Sequence, residues 1–135
     1  MTVMADPILP GSACGKLVVL EAPISFWGGV RPDTGTIADV FHPQRGLCLA
    51  GRVVWLPELK GSGGTPGAIA SLIRAGLGPA AILMPGGDAN LLVGLMVAQK
   101  LYERCVPYLQ IKRPPNMQAI EISLSGKLKQ IYGAH

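Results

Sequence analysis

Charge is scarce in this chain. Only 15% of its 135 residues are Asp, Glu, Lys or Arg, where an ordinary soluble domain carries about a quarter. The twelve basic residues exceed the eight acidic ones, for a net charge of +4, yet no basic run exceeds two. Aromatic residues make up 5%. Without a basic stripe or interleaved aromatics, nucleic-acid binding has no support. The two histidines, His42 and His135, and three cysteines, Cys14, Cys48 and Cys105, are far apart. No CxxC pair or Cys/His cluster at metal-ligand spacing is present, so this chain is expected to bind no metal itself. An odd cysteine count argues against a disulfide framework and for a reducing, cytoplasmic location. The first fifteen residues lack a basic stretch followed by an apolar run, so no signal peptide is expected. The longest apolar segment, Leu91 to Ala98, falls far short of the roughly 20 residues that span a bilayer.

What remains is apolar and turn-rich: 49% hydrophobic residues, 18 glycines and 12 prolines. Such a chain has too much to bury to stay unfolded, and its length fits one domain, residues 1–135. Low charge has two readings. Either a partner covers part of the apolar surface, or the chain is a tightly packed small α/β domain. The modest positive charge also suits a small carboxylate or phosphate ligand.

Local patterns set out the elements. Residues 1–15, broken by Pro7, Pro10 and Gly11, read as an irregular N-terminal arm. "KLVVLEA" (16–22), "GRVVWLP" (51–57), "PAAILMP" (79–85) and "VPYLQI" (106–111) are short apolar runs typical of buried strands. "TPGAIASLIRAG" (65–76) reads as a helix with Thr65 as N-cap, Pro66 in the first turn and Gly76 as the stop. "DANLLVGLMVAQKLYER" (88–104) is a second helix, capped by Asp88, with Lys100 and Arg104 near its C-terminus, where cations are favoured. "QAIEISLSGKLKQIY" (118–132) alternates, with Ile120, Ile122 and Leu124 on one side, and predicts a hairpin turning at Ser125-Gly126. Strand–helix–strand–helix–strand implies a parallel core. The strand-rich ends imply an added β layer.

Two segments carry candidate chemistry. Between the strand ending at Pro57 and the helix near Thr65 lies "GSGG", Gly61 to Gly64. A Walker loop would need a Lys after its glycines, and a dinucleotide fingerprint would need glycine where Pro66 stands; both fail. A hydrolase elbow, Gly-x-Ser-x-Gly, is one residue short before Ser62. There remain an anion site on the amides of Gly63, Gly64 and Thr65, and a plain turn with Ser62 bonded to its own backbone. On the residues alone the turn is the simpler reading. The second segment, residues 23–46, is long for a connection and contains "SFWGG", Ser25 to Gly29. Phe26 and Trp27 serve equally as core aromatics, while Gly28-Gly29 permits close approach of a ligand or partner. His42 is either a satisfied loop histidine or a base. Arg31 is either a carboxylate clamp or an ordinary surface arginine.

The order of these motifs, from "PISFWGG" through the His42-Pro43 loop and "GRVVWLP" to "GSGGTPGAI", resembles the small subunit, or swivel-type domain, of the aconitase X family. The resemblance runs from about Lys16 to Pro107. It implies a swivelling β/β/α domain. It implies a hydro-lyase acting on a β-hydroxy acid, with cis-3-hydroxy-L-proline as the main reading and mevalonate 5-phosphate as the alternative. The choice of hydroxyproline rests on composition, which is Ala-, Pro- and Gly-rich. The resemblance places an iron or iron–sulfur centre in a large partner subunit. It makes Ser62 the proton acceptor. Gly61, Gly63, Gly64, Thr65, Ser25, Phe26, Trp27, Gly28, Gly29 and His42 then surround a small carboxylate substrate. The chain departs from the family pattern at Gly63, where a second serine is usual, and at Thr65-Pro66, which stands for Gly-Ser. A reading of another class, a non-catalytic ligand-binding or interaction module, shares the same fold; activity that appears only on mixing with a large subunit separates the two.

Overall fold

The structure, a computed structural model, describes residues 2–61 and 63–131. Eight strands occur among them: β1 (Thr2–Met4), β2 (Asp6–Leu9), β3 (Ala13–Val19), β4 (Val53–Trp55), β5 (Ala81–Met84), β6 (Tyr108–Gln110), β7 (Ala119–Ile122) and β8 (Lys127–Gln130). Three helical segments accompany them: α1 (Phe26–Gly29), α2 (Thr65–Arg74) and α3 (Ala89–Tyr102).

The strands lie in the order β1-β8-β7-β3-β4-β5-β6-β2. Strands β3, β4, β5 and β6 are parallel, joined through α2 and α3 as the alternation of patterns predicts. The added β layer is antiparallel. Strand β3 belongs to both sheets: residues 13–16 pair with β7, and residues 17–19 pair with β4. The two ends of the strand order, β1 and β2, are separated in the chain by Ala5 alone, so the sheet curls almost into closure. That disposes of most free edges, which otherwise invite pairing with other chains.

The expected irregular arm is therefore corrected. Residues 2–9 form β1, paired with β8, and β2, paired with β6. Pro7 is tolerated because β2 is at the end of the strand order, where a missing N–H costs no ladder bond, and Pro10 and Gly11 fall in the connection between β2 and β3. The pairing also shifts register between Pro7 and Leu9.

Alternation along the parallel strands divides the core in two. Val53, Trp55, Ala81, Leu83 and Leu109 face the antiparallel layer and pack with Ile120, Ile122 and Leu128. Val54, Leu56, Ile82, Met84 and Tyr108 face the helices and pack with Ile69, Leu72, Ile73, Leu91 and Leu95. The result is a β/β/α sandwich of layers.

Helix ends follow local chemistry with one correction. Asp88 caps α3, its side chain accepting from Leu91 N–H at 2.9 Å. Helix α2 ends in a Schellman motif: Gly76 has φ +77°, its N–H bonds Ile73 O, and Leu77 N–H bonds Leu72 O. Its start differs from expectation. The N-cap is Gly64, with no side-chain capping bond, and Thr65 is already helical and buried. Gly126, at φ +90°, turns the terminal hairpin, and Leu124 sits 68% exposed beside that turn rather than on the apolar side with Ile120 and Ile122.

Candidate active site

Helix α2 starts beyond the C-terminal end of β4, and the 23–46 connection leaves from beyond β3, the adjacent parallel strand. Both segments therefore emerge at one edge of the parallel sheet, where ligands commonly bind in open α/β sheets.

There they are joined. Ile24 forms an isolated parallel bridge with Leu59. Its N–H donates to Glu58 O at 3.3 Å, and Lys60 N–H donates to its carbonyl at 2.9 Å. Three residues on, Trp27 (φ −88°, ψ 107°) and Gly28 (φ +83°, ψ −19°) adopt the angles of a type II turn inside α1. Gly28 is a glycine because that position needs positive φ. Ser25 Oγ donates to Trp27 O at 2.8 Å and steadies the turn. Phe26 points into the helix-side core, 2% exposed, while Trp27 is 71% exposed.

Phe26, Trp27, Gly28, Gly63 and Gly64 border one open groove of about 870 Å³, completed along α2 by Gly67 and Ser71 and at the far wall by Arg31. Gly61 has φ +72°, and its α-carbon lies near Ser25. Ser62, the residue at the centre of the sequence argument, lies outside the described residues. Gly29 is buried behind Phe26.

The electrostatics are modest. Gly64 leaves α2 uncapped by a side chain, so the partial positive charge of that helix end faces the turn. Lys60 Nζ lies 3.6 Å from Asp39 Oδ2. Asp39 Oδ1 accepts from Phe41 N–H, and that bond holds its carboxyl below the usual range. Arg31 makes a two-point pair with Asp33, at 3.0 and 2.8 Å. This bond raises the guanidinium pKa and lowers that of the carboxyl. Arg31 thus borders the groove already paired.

His42 stands apart from the other sequence candidates. It is 5% exposed. Gln44 N–H donates to its Nδ1 at 3.0 Å, which puts the proton on Nε2, and Nε2 faces Ala22 O at 3.1 Å. Both nitrogens are engaged with backbone, so the ring ties residues 22 and 44 together. Two contributors carry no motif in the sequence: the partner of Lys60, which is Asp39, and Tyr108. The hydroxyl of Tyr108 donates to Gly86 O and accepts from Asp88 N–H, which fixes the turn before α3.

Among the described residues no three His, Cys, Asp or Glu side chains gather where a metal could bind. Cys14 and Cys105 are exposed and Cys48 is half-buried, each free. The described residues gather no ligand set that fits an iron centre. Among the described residues, too, no helix is long and apolar enough to cross a membrane.

A β/β/α layered domain with a glycine turn heading a helix defines the swivel-domain class. The chain belongs to the aconitase X family: the family's swivel domain matches residues 2–130. It is 38% identical over 105 residues to the cis-3-hydroxy-L-proline dehydratase of Pseudomonas aeruginosa, covering 78% of this chain and 18% of that protein. It is 38% identical over 98 residues to the phosphomevalonate dehydratase small subunit of Pyrococcus furiosus, covering 73% of each. The chain thus spans less than a fifth of the first relative and most of the second. In fold it matches a chain of the Thermococcus kodakaraensis aconitase X crystal structure, with TM-score 0.83, 24% identity, and 97% and 98% of the two chains covered.

Proposed function

We propose that this chain is the small subunit of a heteromeric hydro-lyase that dehydrates a β-hydroxy acid, with cis-3-hydroxy-L-proline as substrate and Ser62 as proton acceptor. The observation that carries this reading is the union of "SFWGG" and the glycine turn at one groove, in a chain of the aconitase X family. Among the described residues that line the groove, Arg31 is the one ionisable side chain, and it is already paired with Asp33. A partner is therefore needed to complete a site, and small-subunit relatives of similar length support one. The iron or iron–sulfur centre is assigned to that large subunit.

Dehydration removes a weakly acidic proton beside a carboxylate and expels hydroxide from the adjacent carbon. A serine accepts such a proton only as its alkoxide. The N-terminal end of α2 supplies positive potential that favours that form. The turn amides can also hold the carboxylate. Gly63 and Gly64 then frame the substrate from one side and Phe26 to Gly28 from the other, while Gly61, Thr65, Ser25, Gly29 and His42 hold the two segments from behind the groove.

The second reading, a mevalonate 5-phosphate substrate, is favoured by one observation: the relatives matched over most of their length are phosphomevalonate dehydratase small subunits. Turnover of the two substrates by the assembled subunits decides between them. The catalytic assignment is tested by Ser62→Ala in the same assembly. Loss of turnover by about 10²-fold or more is expected for a removed proton acceptor, and near-normal turnover refutes it. Activity from this chain alone refutes the two-subunit reading.

A further inference from the structure

Four glycines lie in and just after the turn, and the fold requires only two of them. Gly61 needs its φ of +72°. Gly64 has no unusual φ but no room: a Cβ there would lie 2.6 Å from Trp27 Cγ, 2.7 Å from Trp27 Cβ and 3.1 Å from Trp27 Cδ1. Gly63 and Gly67 would meet nothing within 4 Å. The base of the Trp27 side chain thus sits on the backbone of Gly64, while most of the indole stays in the open.

The same short segment grips the turn on its other side. Lys60 N–H bonds Ile24 O, and Ile24 bridges Leu59. Residues 60 and 64 stand two positions either side of residue 62. Both are held by residues 24–27, which are themselves stiffened by the Ser25–Trp27 bond and the type II turn at Gly28.

We infer that Trp27 is a positioning residue: by packing on Gly64 it completes a two-point clamp on residues 60 and 64, which flank Ser62 in the chain. The inference rests on the reading of Ser62 as proton acceptor, since the clamp matters to turnover only through that residue. The contact is made by Cβ, Cγ and Cδ1, which phenylalanine also possesses and alanine does not retain beyond Cβ. A methyl group at position 64 occupies the space that the indole base fills. Each substitution therefore has a defined partner.

The test is a set of variants in the full chain, assembled with its large subunit: Trp27→Phe, Trp27→Ala, Gly64→Ala and the double variant. Trp27→Phe is expected to lose clearly less turnover than Trp27→Ala, because the atoms that touch Gly64 survive. Trp27→Ala and Gly64→Ala are each expected to lower kcat by about 10- to 100-fold with KM little changed, the effect of a small misplacement of a reacting group. The double variant is expected to fall short of the product of the two single effects, because the added methyl then meets only Cβ of residue 27 and no longer Cγ or Cδ1. Amide chemical shifts of Gly61, Gly63 and Gly64, measured on the full chain without substrate, should move in Trp27→Ala and stay in place in Trp27→Phe.

Trp27→Phe as damaging as Trp27→Ala overturns the inference, since the outer ring would then be what matters. So does multiplication of the two single effects in the double variant, or unmoved amides in Trp27→Ala. If Ser62→Ala keeps full turnover, the proton-acceptor reading fails separately, while the amide shifts still report whether the clamp exists.

Discussion

Two helical glycines carry opposite predictions for one substitution. Glycine in a helix interior costs roughly 0.5–1 kcal/mol relative to alanine, mostly in backbone entropy. At Gly67 in α2 a new Cβ meets nothing within 4 Å, so Gly67→Ala should gain about 0.5–1 kcal/mol. At Gly94 in α3 the Cβ would stand 2.8 Å from Pro66 O, 2.9 Å from Pro66 Cα and hard against Ile69 Cγ2, where ordinary contact begins at 3.4 Å. Two of these atoms belong to the backbone of α2 and cannot rotate away. The helices must part by roughly half an ångström, and overpacking of this kind costs about 1–3 kcal/mol. Subtracting the propensity gain leaves Gly94→Ala destabilised by about 1 kcal/mol at the middle of these ranges and about 2.5 kcal/mol at most. For a chain of this length each kcal/mol moves Tm by roughly 3–5 °C. Thermal and urea unfolding of the two variants, followed by circular dichroism beside the parent, reads both signs. A Gly94→Ala variant as stable as the parent would refute the claim that close helix approach, rather than chance, puts glycine there. A destabilised Gly67→Ala would refute the open space at α2.

Other predictions follow from single side chains. His42→Ala should cost about 1–3 kcal/mol of stability in urea unfolding, because it leaves Gln44 N–H and Ala22 O without their partners. A loss confined to substrate affinity, with stability intact, would return His42 to the substrate. Burial pushes the Tyr108 phenol above its ordinary value of 10.0. The folded chain thus keeps this proton where the unfolded chain releases it. The contribution is complete below about pH 10 and is lost as pH rises through the raised value. Tyr108→Phe should flatten that alkaline fall in stability relative to the parent, and equal slopes would count against it.

Several features were legible in the sequence because they depend on neighbours within a few residues. Asp88 three positions before an amide it can accept from, Gly76 after the last helical turn, and short β-branched runs before helix formers are of this kind. So was the family, whose motifs keep their order along the chain. The strands at residues 2–9 were not legible. Their partners are residues 108–110 and 127–129, and Pro7, which argues for a break, is harmless at the end of the strand order. The one-residue shift of the α2 cap has a similar cause: Thr65 is buried at the helix start instead of standing outside it.

The candidate site divides in the same way. Sequence alone determined that a glycine turn heads α2, that an aromatic–glycine segment precedes it, and that no metal cluster is encoded at ligand spacing. Those are properties of residue type and short-range order. Tertiary structure decided that the two segments meet, that Trp27 rests on Gly64, and that His42 and Arg31 are already engaged. Residues 27 and 64 are far apart in the chain, and a hydrogen-bonding or packing partner at that distance is chosen by how the strands line up. The parallel register of β3 beside β4 is what brings the two loops to one edge.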